Sequence, residues 1–292
     1  MLGPFGIWAR ELRFGDRAEA VEAVGELEQI GYSALWIPGG TGGDVLDVVE
    51  TMLRSTTRAT VATGILNVWE HDPAEVAATG ARLHGEHRGR FLLGLGVGHA
   101  RFVDESAPGR YARPVATMAA YLDALDGQPA SPSVPRVLAA LAPQMVDLAA
   151  GRSDGVHPYL TPVEHTRWVR ERLGPGAIVA TALAVVLEPD VDRARAEARL
   201  DLGLYLTLPN YVRTWQRLGY DDTDLLDGGS DRLVDALYGL GDAGGIAARV
   251  QEHLAAGASH VCIRVITNQL ERLPRAEWRQ LASALSGIVG VH

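Results

Sequence analysis

Ala59-Thr60-Val61-Ala62-Thr63-Gly64-Ile65-Leu66 is followed by Asp72-Pro73 and, beyond Gly89-Arg90, by Phe91-Leu92-Leu93-Gly94-Leu95. The first run is apolar and β-branched, and it is short enough to be a buried strand. Asp72 can cap the helix that Pro73 opens, since proline is tolerated where a helix has no use for its N–H; that helix runs to Gly85. Phe91 to Leu95 is a second strand. A strand, a helix and a strand in one reach of chain is the unit of a parallel α/β sheet.

The same alternation continues in both directions. Upstream, Gly6 to Trp8 is a strand. Asp16 to Ile30 carries Ala20, Val24, Leu27 and Ile30 at helical spacing and ends at Gly31. Ala34-Leu35-Trp36-Ile37 is the next strand, and Asp44 to Thr56 a helix. Downstream come a helix from Arg113 to Leu125 and a proline-rich loop over 126–135. Arg136 to Leu141, Asp154 to His157, Ala177 to Leu187 and His260 to Ile266 read as strands. Between and after them lie helices at Gln144 to Gly151, Glu164 to Leu173, Ile246 to Ala256 and Arg275 to Leu285. An irregular helical insertion over about 200–245 follows the seventh strand, with Ser230 capping one of its helices. Eight strands separated by helices predict an α/β fold of the (β/α)8 TIM-barrel type, a single domain over 1–292. A doubly wound sheet would give a similar pattern.

Composition narrows the chemistry. The chain has 292 residues, 47% hydrophobic and 22% charged, with one cysteine and a net charge of −9. No apolar run reaches the roughly 18 residues of a membrane helix, and the start lacks the charge of a signal peptide, so a cytoplasmic location is expected. Acidic balance argues against nucleic-acid binding. Every basic side chain other than histidine is arginine, which excludes lysine Schiff-base, pyridoxal-phosphate and P-loop chemistry. A lone Cys262 makes neither an internal disulfide nor a cysteine cluster. No histidine or carboxylate pattern has metal-ligand spacing, so no metal is expected.

Barrel chemistry sits where strands end. That rule selects Trp8, Pro38 to Gly43, Gly64 to Asn67, Gly96 to His99, Ala140 to Pro143, Gly155 to His157 and Val265 onward. Gly94-x-Gly96-x-Gly98 lacks the last glycine of a dinucleotide fingerprint, and no clear helix is expected after it. Pro143 opens a helix directly after a strand, where free amides could hold an anion. His84 and His87 lie away from the rim, whereas His99 and His157 fall at strand ends. Trp8 and Trp69 are near enough to the rim to stack on a flat ring.

The run from Thr63 to Pro73 and Gly89-Arg90-Phe91-Leu92-Leu93-Gly94-Leu95-Gly96-Val97-Gly98 resemble the luciferase-like monooxygenase family, in particular its F420-dependent oxidoreductases. The likeness extends through Arg136 to Pro143, Ala149 to Thr161, Leu208-Pro209-Asn210-Tyr211, Gly229 to Val234 and His260-Val261-Cys262. The resemblance implies a dimeric barrel that binds coenzyme F420, or alternatively FMN, and acts on a small molecule. It places a non-proline cis peptide at Gly64-Ile65 behind the cofactor ring. It further implies Asn67, Gly96, Val97, Gly98 and His99 beside the ring, and Ala140, Leu141, Ala142, Gly155 and Val156 near the phosphate. Trp8, Gly39, Gly40, Trp69 and Tyr211 would line the substrate pocket. F420-using relatives carry an acidic residue or histidine after strand two, where this chain reads Pro38-Gly39-Gly40-Thr41-Gly42-Gly43. Acid–base work would therefore fall to His99 or His71. An FMN-dependent monooxygenase and a cofactor-binding homologue without turnover are the two other readings.

Overall fold

The computed structural model describes residues 2–40, 42–129, 134–267 and 272–288. Thr41 and residues 130–133, parts of two expected loops, lie outside them. Among the described residues ten strands form: β1 (Phe5–Trp8), β2 (Ala34–Ile37), β3 (Thr60–Thr63), β4 (Leu66–Asn67), β5 (Phe91–Gly96), β6 (Arg136–Leu138), β7 (Gly155–Val156), β8 (Ile178–Leu187), β9 (Tyr238–Gly241) and β10 (His260–Val265). The helices are α1 (Glu11–Phe14), α2 (Arg17–Gln29), α3 (Val45–Arg54), α4 (Pro73–Glu86), α5 (Ala100–Ser106), α6 (Pro114–Asp126), α7 (Pro143–Arg152), α8 (Val163–Leu173), α9 (Val191–Leu206), α10 (Pro209–Arg217), α11 (Asp231–Leu237), α12 (Ala243–Ala255) and α13 (Arg275–Leu285).

All the strand pairings are parallel, and β1, β2, β3, β5, β6, β7, β8 and β10 close into a barrel. Closure comes from β10, which pairs with β1 (Phe5 beside Val261) and with β8 (Ala180 beside His260). Period-two alternation sorts the side chains. Ala34, Trp36, Ala62, Leu92, Val137, Ala180, Ala182 and Cys262 fill the lumen. Leu35, Ile37, Val61, Leu93, Val261 and Ile263 join the larger core beneath the helices. Mostly small lumen residues leave room for Trp36, whose indole stacks on His157 at 4.0 Å between centroids.

Capping follows the sequence. Asp72 accepts from the amides of Ala74 and Glu75, and Ser230 from that of Leu233. Each such cap contributes about 1 kcal/mol. Four expectations change. The third strand breaks at a cis Gly64–Ile65 peptide, and Leu66–Asn67 resumes as β4 against β5. The fifth barrel strand stops at Leu138 rather than Leu141. A short helix, α5, does follow the glycine run: the His99 carbonyl takes the amides of Phe102 and Val103, and Val103 is buried. The excursion after β8, which opens with α9, contains a strand that the sequence did not announce. That strand, β9, lengthens the sheet by pairing Tyr238–Gly241 with Ala184–Leu187. Its helices form a second apolar core around Leu202, Tyr211, Trp215 and Leu233. Among the described residues no helix is long and apolar enough to cross a membrane.

Candidate active site

Because the strands are parallel, their C-terminal ends share one mouth. The break at Gly64–Ile65 dominates it. Trp8, at the end of β1, donates its indole N–H to the Gly64 carbonyl at 2.7 Å. A Cβ on Gly64 would stand 2.9 Å from that indole. On the other side, the Ile65 carbonyl would be 1.8 Å from a Cβ on Gly39, and the Ile65 side chain 2.5 Å from one on Gly96. Gly39, Gly64 and Gly96 are therefore the space into which the break fits.

The glycine loop after β2 is pinned. Arg13, buried on α1, donates to the carbonyls of Pro38 and Gly42, each at 2.9 Å, and pairs with Asp44 at 2.6 Å. Gly40 stands exposed at its outer edge. Across the mouth, Trp69 donates its indole N–H to the Val97 carbonyl at 2.8 Å, and Asn67 Oδ1 takes the Trp69 amide. Gly98 has the positive φ that turns the chain from β5 into α5.

The two histidines expected to move protons are not neighbours. His99 caps α5, lies 5.7 Å from the Tyr211 ring, and bonds Asn210. Its Nδ1 is buried without a partner, and burial holds its pKa below the usual value. The electrostatic neighbours of His71 are instead Arg13, Glu70 and Glu75; burial, then Arg13, lowers its pKa. Tyr211 is buried in the second core, between Tyr205 and Trp215. His157 and His260 sit in the lumen below. His157 donates Nδ1–H to the Ala180 carbonyl, and His260 donates to that of Gly3 while accepting from Trp36 Nε1 at 3.1 Å.

Beyond β6, α7 begins at Pro143 and has no side-chain cap. Ala142 is exposed, Leu141 half-buried and Ala140 buried. The Leu141 carbonyl accepts from His165 Nε2 and from Arg217 of α10, both at 2.9 Å. Gly155 and Val156 are ladder residues of β7. A Cβ on Gly155 would meet the Ile178 carbonyl at 1.9 Å, so close strand packing also requires that glycine.

Sequence reasoning missed a polar group on the same mouth. Arg264, third on the lumen face of β10 after His260 and Cys262, pairs with Asp201 of α9 at 2.8 Å. Its guanidinium lies 5.4 Å from the Trp8 ring and donates to the Tyr159 hydroxyl. Glu11, just past β1, has a raised pKa from burial, with Arg264 acting against it. A charge at the end of the last strand, in phase with lumen residues, was the signal available. Asp201 lies too far away in sequence to be paired with it by spacing. Among the described residues no cluster of three or more metal-ligating side chains occurs.

A closed parallel barrel with its polar groups gathered at the strand ends is the (β/α)8 TIM-barrel fold. Residues 3–128 match the family model for luciferase-like monooxygenase, which upholds the resemblance drawn from the sequence. No curated protein matches the chain. Among solved structures, it is similar to an F420-dependent secondary alcohol dehydrogenase in complex with an F420–acetone adduct. That likeness has TM-score 0.77 and 15% identity, over 98% of this chain and 99% of the other. Another is the coenzyme F420-dependent tetrahydromethanopterin reductase from Methanopyrus kandleri (0.78, 15%, 99% of each chain). A third is the FMN-bound oxygenating constituent of 3,6-diketocamphane monooxygenase from Pseudomonas putida (0.70, 11%, 97% and 96%).

Proposed function

We propose that this protein is an oxidoreductase moving a hydride between coenzyme F420 and a small organic substrate at the barrel mouth. The observation that carries the reading is the glycine-lined niche at the strand ends, where Trp8 holds the Gly64 carbonyl and Gly39 and Gly96 clear the space around Ile65. It lies where the family resemblance puts the back of a flat ring. The residues fit such a group. Gly64, Ile65, Asn67 and Gly96 to His99 would hold the ring. The uncapped start of α7, with Ala140 to Ala142 and the Arg217 guanidinium beside it, suits a phosphate. Gly155 and Val156 border that end.

When bound, the cofactor supplies the two-electron chemistry; the protein orients it, excludes water and handles protons. His99, neutral because burial disfavours its charged form, can take or relay a proton at Nδ1. His71 lies in a different neighbourhood and is the weaker candidate.

Titration of the purified protein with F420 and with FMN, followed by fluorescence and thermal shift, tests this. Preferential F420 binding is expected. Binding of FMN alone would move the assignment to a flavin monooxygenase, a reading favoured by the FMN-bound neighbour. F420 binding without turnover of any alcohol, aldehyde or enone would leave a binding protein, which the ionisable-free stretch after β2 favours. The small-molecule substrate and a homodimer belong to the same proposal; light scattering checks the second.

A further inference from the structure

The hydrogen bond of Trp8 to the Gly64 carbonyl, at 2.7 Å, fixes one atom of the indole and leaves the plane of the ring free to tilt about it. Lumen packing covers part of that ring, yet Trp8 is only half-buried, so the tilt needs a second restraint. Arg264 supplies one. Its guanidinium carbon lies 5.4 Å from the centre of the Trp8 ring and 5.7 Å from that of Tyr159, within the range over which a cation and an aromatic face attract.

Arg264 is itself fixed. It meets Asp201 twice, at 2.8 Å on Oδ1 and 3.2 Å on Oδ2, and this two-pronged contact sets the guanidinium plane. It also donates to the Tyr159 hydroxyl. The side chains of Arg264 and Asp201 are 23% and 11% exposed, so water and salt screen their attraction little. Asp201 belongs to α9, and its Oδ2 accepts at 2.9 Å from the hydroxyl of Tyr238, which is buried in the second core. One line of contacts therefore runs from that core through Asp201, Arg264 and Trp8 to the Gly64 carbonyl. A lysine could not carry it, since an ammonium has neither a plane nor a fork.

We propose that Arg264, held in its fork by Asp201, is a positioning residue that sets the tilt of Trp8, so that the excursion governs how well the niche at Gly64 receives a flat ring. The inference rests on the reading that the cofactor ring lies in that niche. It gives Asp201 control over a peptide that it does not touch.

The indole N–H resonances of protein labelled with 15N-tryptophan test this, with that of Trp8 identified by its loss in Trp8→Phe. In Asp201→Asn the Trp8 resonance should move upfield or broaden, while those of Trp69 and Trp278 stay in place. Affinity for F420 should fall about fivefold, the worth of a cation–aromatic contact of about 1 kcal/mol. Asp201→Asn/Trp8→Phe should bind little worse than the weaker-binding single variant, because both changes act through one indole. Arg264→Lys keeps a charge beside Asp201, so it serves if Asp201→Asn does not fold; the same displaced resonance and the same loss are expected. Asp235→Asn removes a different ion pair of α9, that with Arg195 at 2.6 Å, and should lower stability without moving Trp8. An equal displacement in that control, or an unmoved resonance and unchanged affinity in Asp201→Asn and Arg264→Lys, would overturn the proposal. Titration of wild type with F420 and FMN separates the two readings. A Trp8 resonance that follows Asp201 in a protein binding neither sinks only the cofactor; F420 binding with an unmoved resonance and losses that multiply sinks only the positioning role.

Discussion

Gly39 looks in sequence like an empty place where relatives carry a catalytic group, and the structure gives that emptiness a reason. The Ile65 carbonyl occupies the position that a Cβ would need, at 1.8 Å. Both partners are backbone, so neither can swing aside. Gly39→Ala should cost about 3 kcal/mol, the upper part of the overpacking range. It should appear as a lower urea midpoint at unchanged slope; a loss under about 1 kcal/mol would mean that the break moves freely. Trp8 acts on the same peptide from the lumen. Trp8→Phe keeps the ring and removes one 2.7 Å hydrogen bond. A stability loss of about 1 kcal/mol is expected, or roughly 2–4 °C in Tm, together with weaker cofactor binding. Equal cofactor affinity in the variant would show that the ring does not lie against Gly64.

At the scale of elements, the start of α7 is where the proposed phosphate seat can be tested against an ordinary helix end. Its first turn has no side-chain cap, and Arg217 reaches it from α10 in the excursion. Arg217→Ala should weaken binding of an anionic cofactor about tenfold and flatten its salt dependence, leaving isolated-ring analogues unaffected. An equal loss for ring and phosphorylated forms would point to α10 misfolding instead. Barrel strands were legible because each is an apolar run bounded by glycine, proline or a cap, and Asp72 and Ser230 cap where the sequence puts them. Less was legible where tertiary contacts decide. Tyr238-Gly239-Leu240-Gly241 is too short and glycine-rich to declare itself; it is a strand because Ala184 to Leu187 offers a free edge. Gly64–Ile65 could be placed only by family likeness, since local propensity does not encode a break that depends on Gly39, Gly96 and Trp8. The Arg264–Asp201 pair joins residues brought together by the whole excursion folding over the mouth.

For the whole molecule, four buried histidines make the fold a neutral-pH object. Burial holds His157, His165 and His260 down to about 4 and His253 to about 3. His157, His165 and His260 each give one ring hydrogen to a backbone carbonyl, and His253 bonds Thr166. His260 shows why a second proton is refused: its Nε2 lone pair accepts from Trp36. The unfolded chain titrates near 6.5, so below that pH it binds protons that the native state does not. Stability is then complete above about pH 6.5 and falls as pH drops towards 4. The loss is about 3 kcal/mol or more per histidine, and four together approach the whole stability of an ordinary domain, about 5–15 kcal/mol. Carboxylates such as Glu28, held at about 2 by the amides of residues 57–59 despite its burial, lose their contribution only at lower pH. The window from pH 6.5 to 5 therefore isolates the histidines. Urea unfolding across it should give a slope approaching four protons, about 5 kcal/mol per pH unit. His253→Gln should reduce that slope by about one proton even if it lowers stability at pH 8. A slope below about two protons would mean that water reaches these rings in the native barrel.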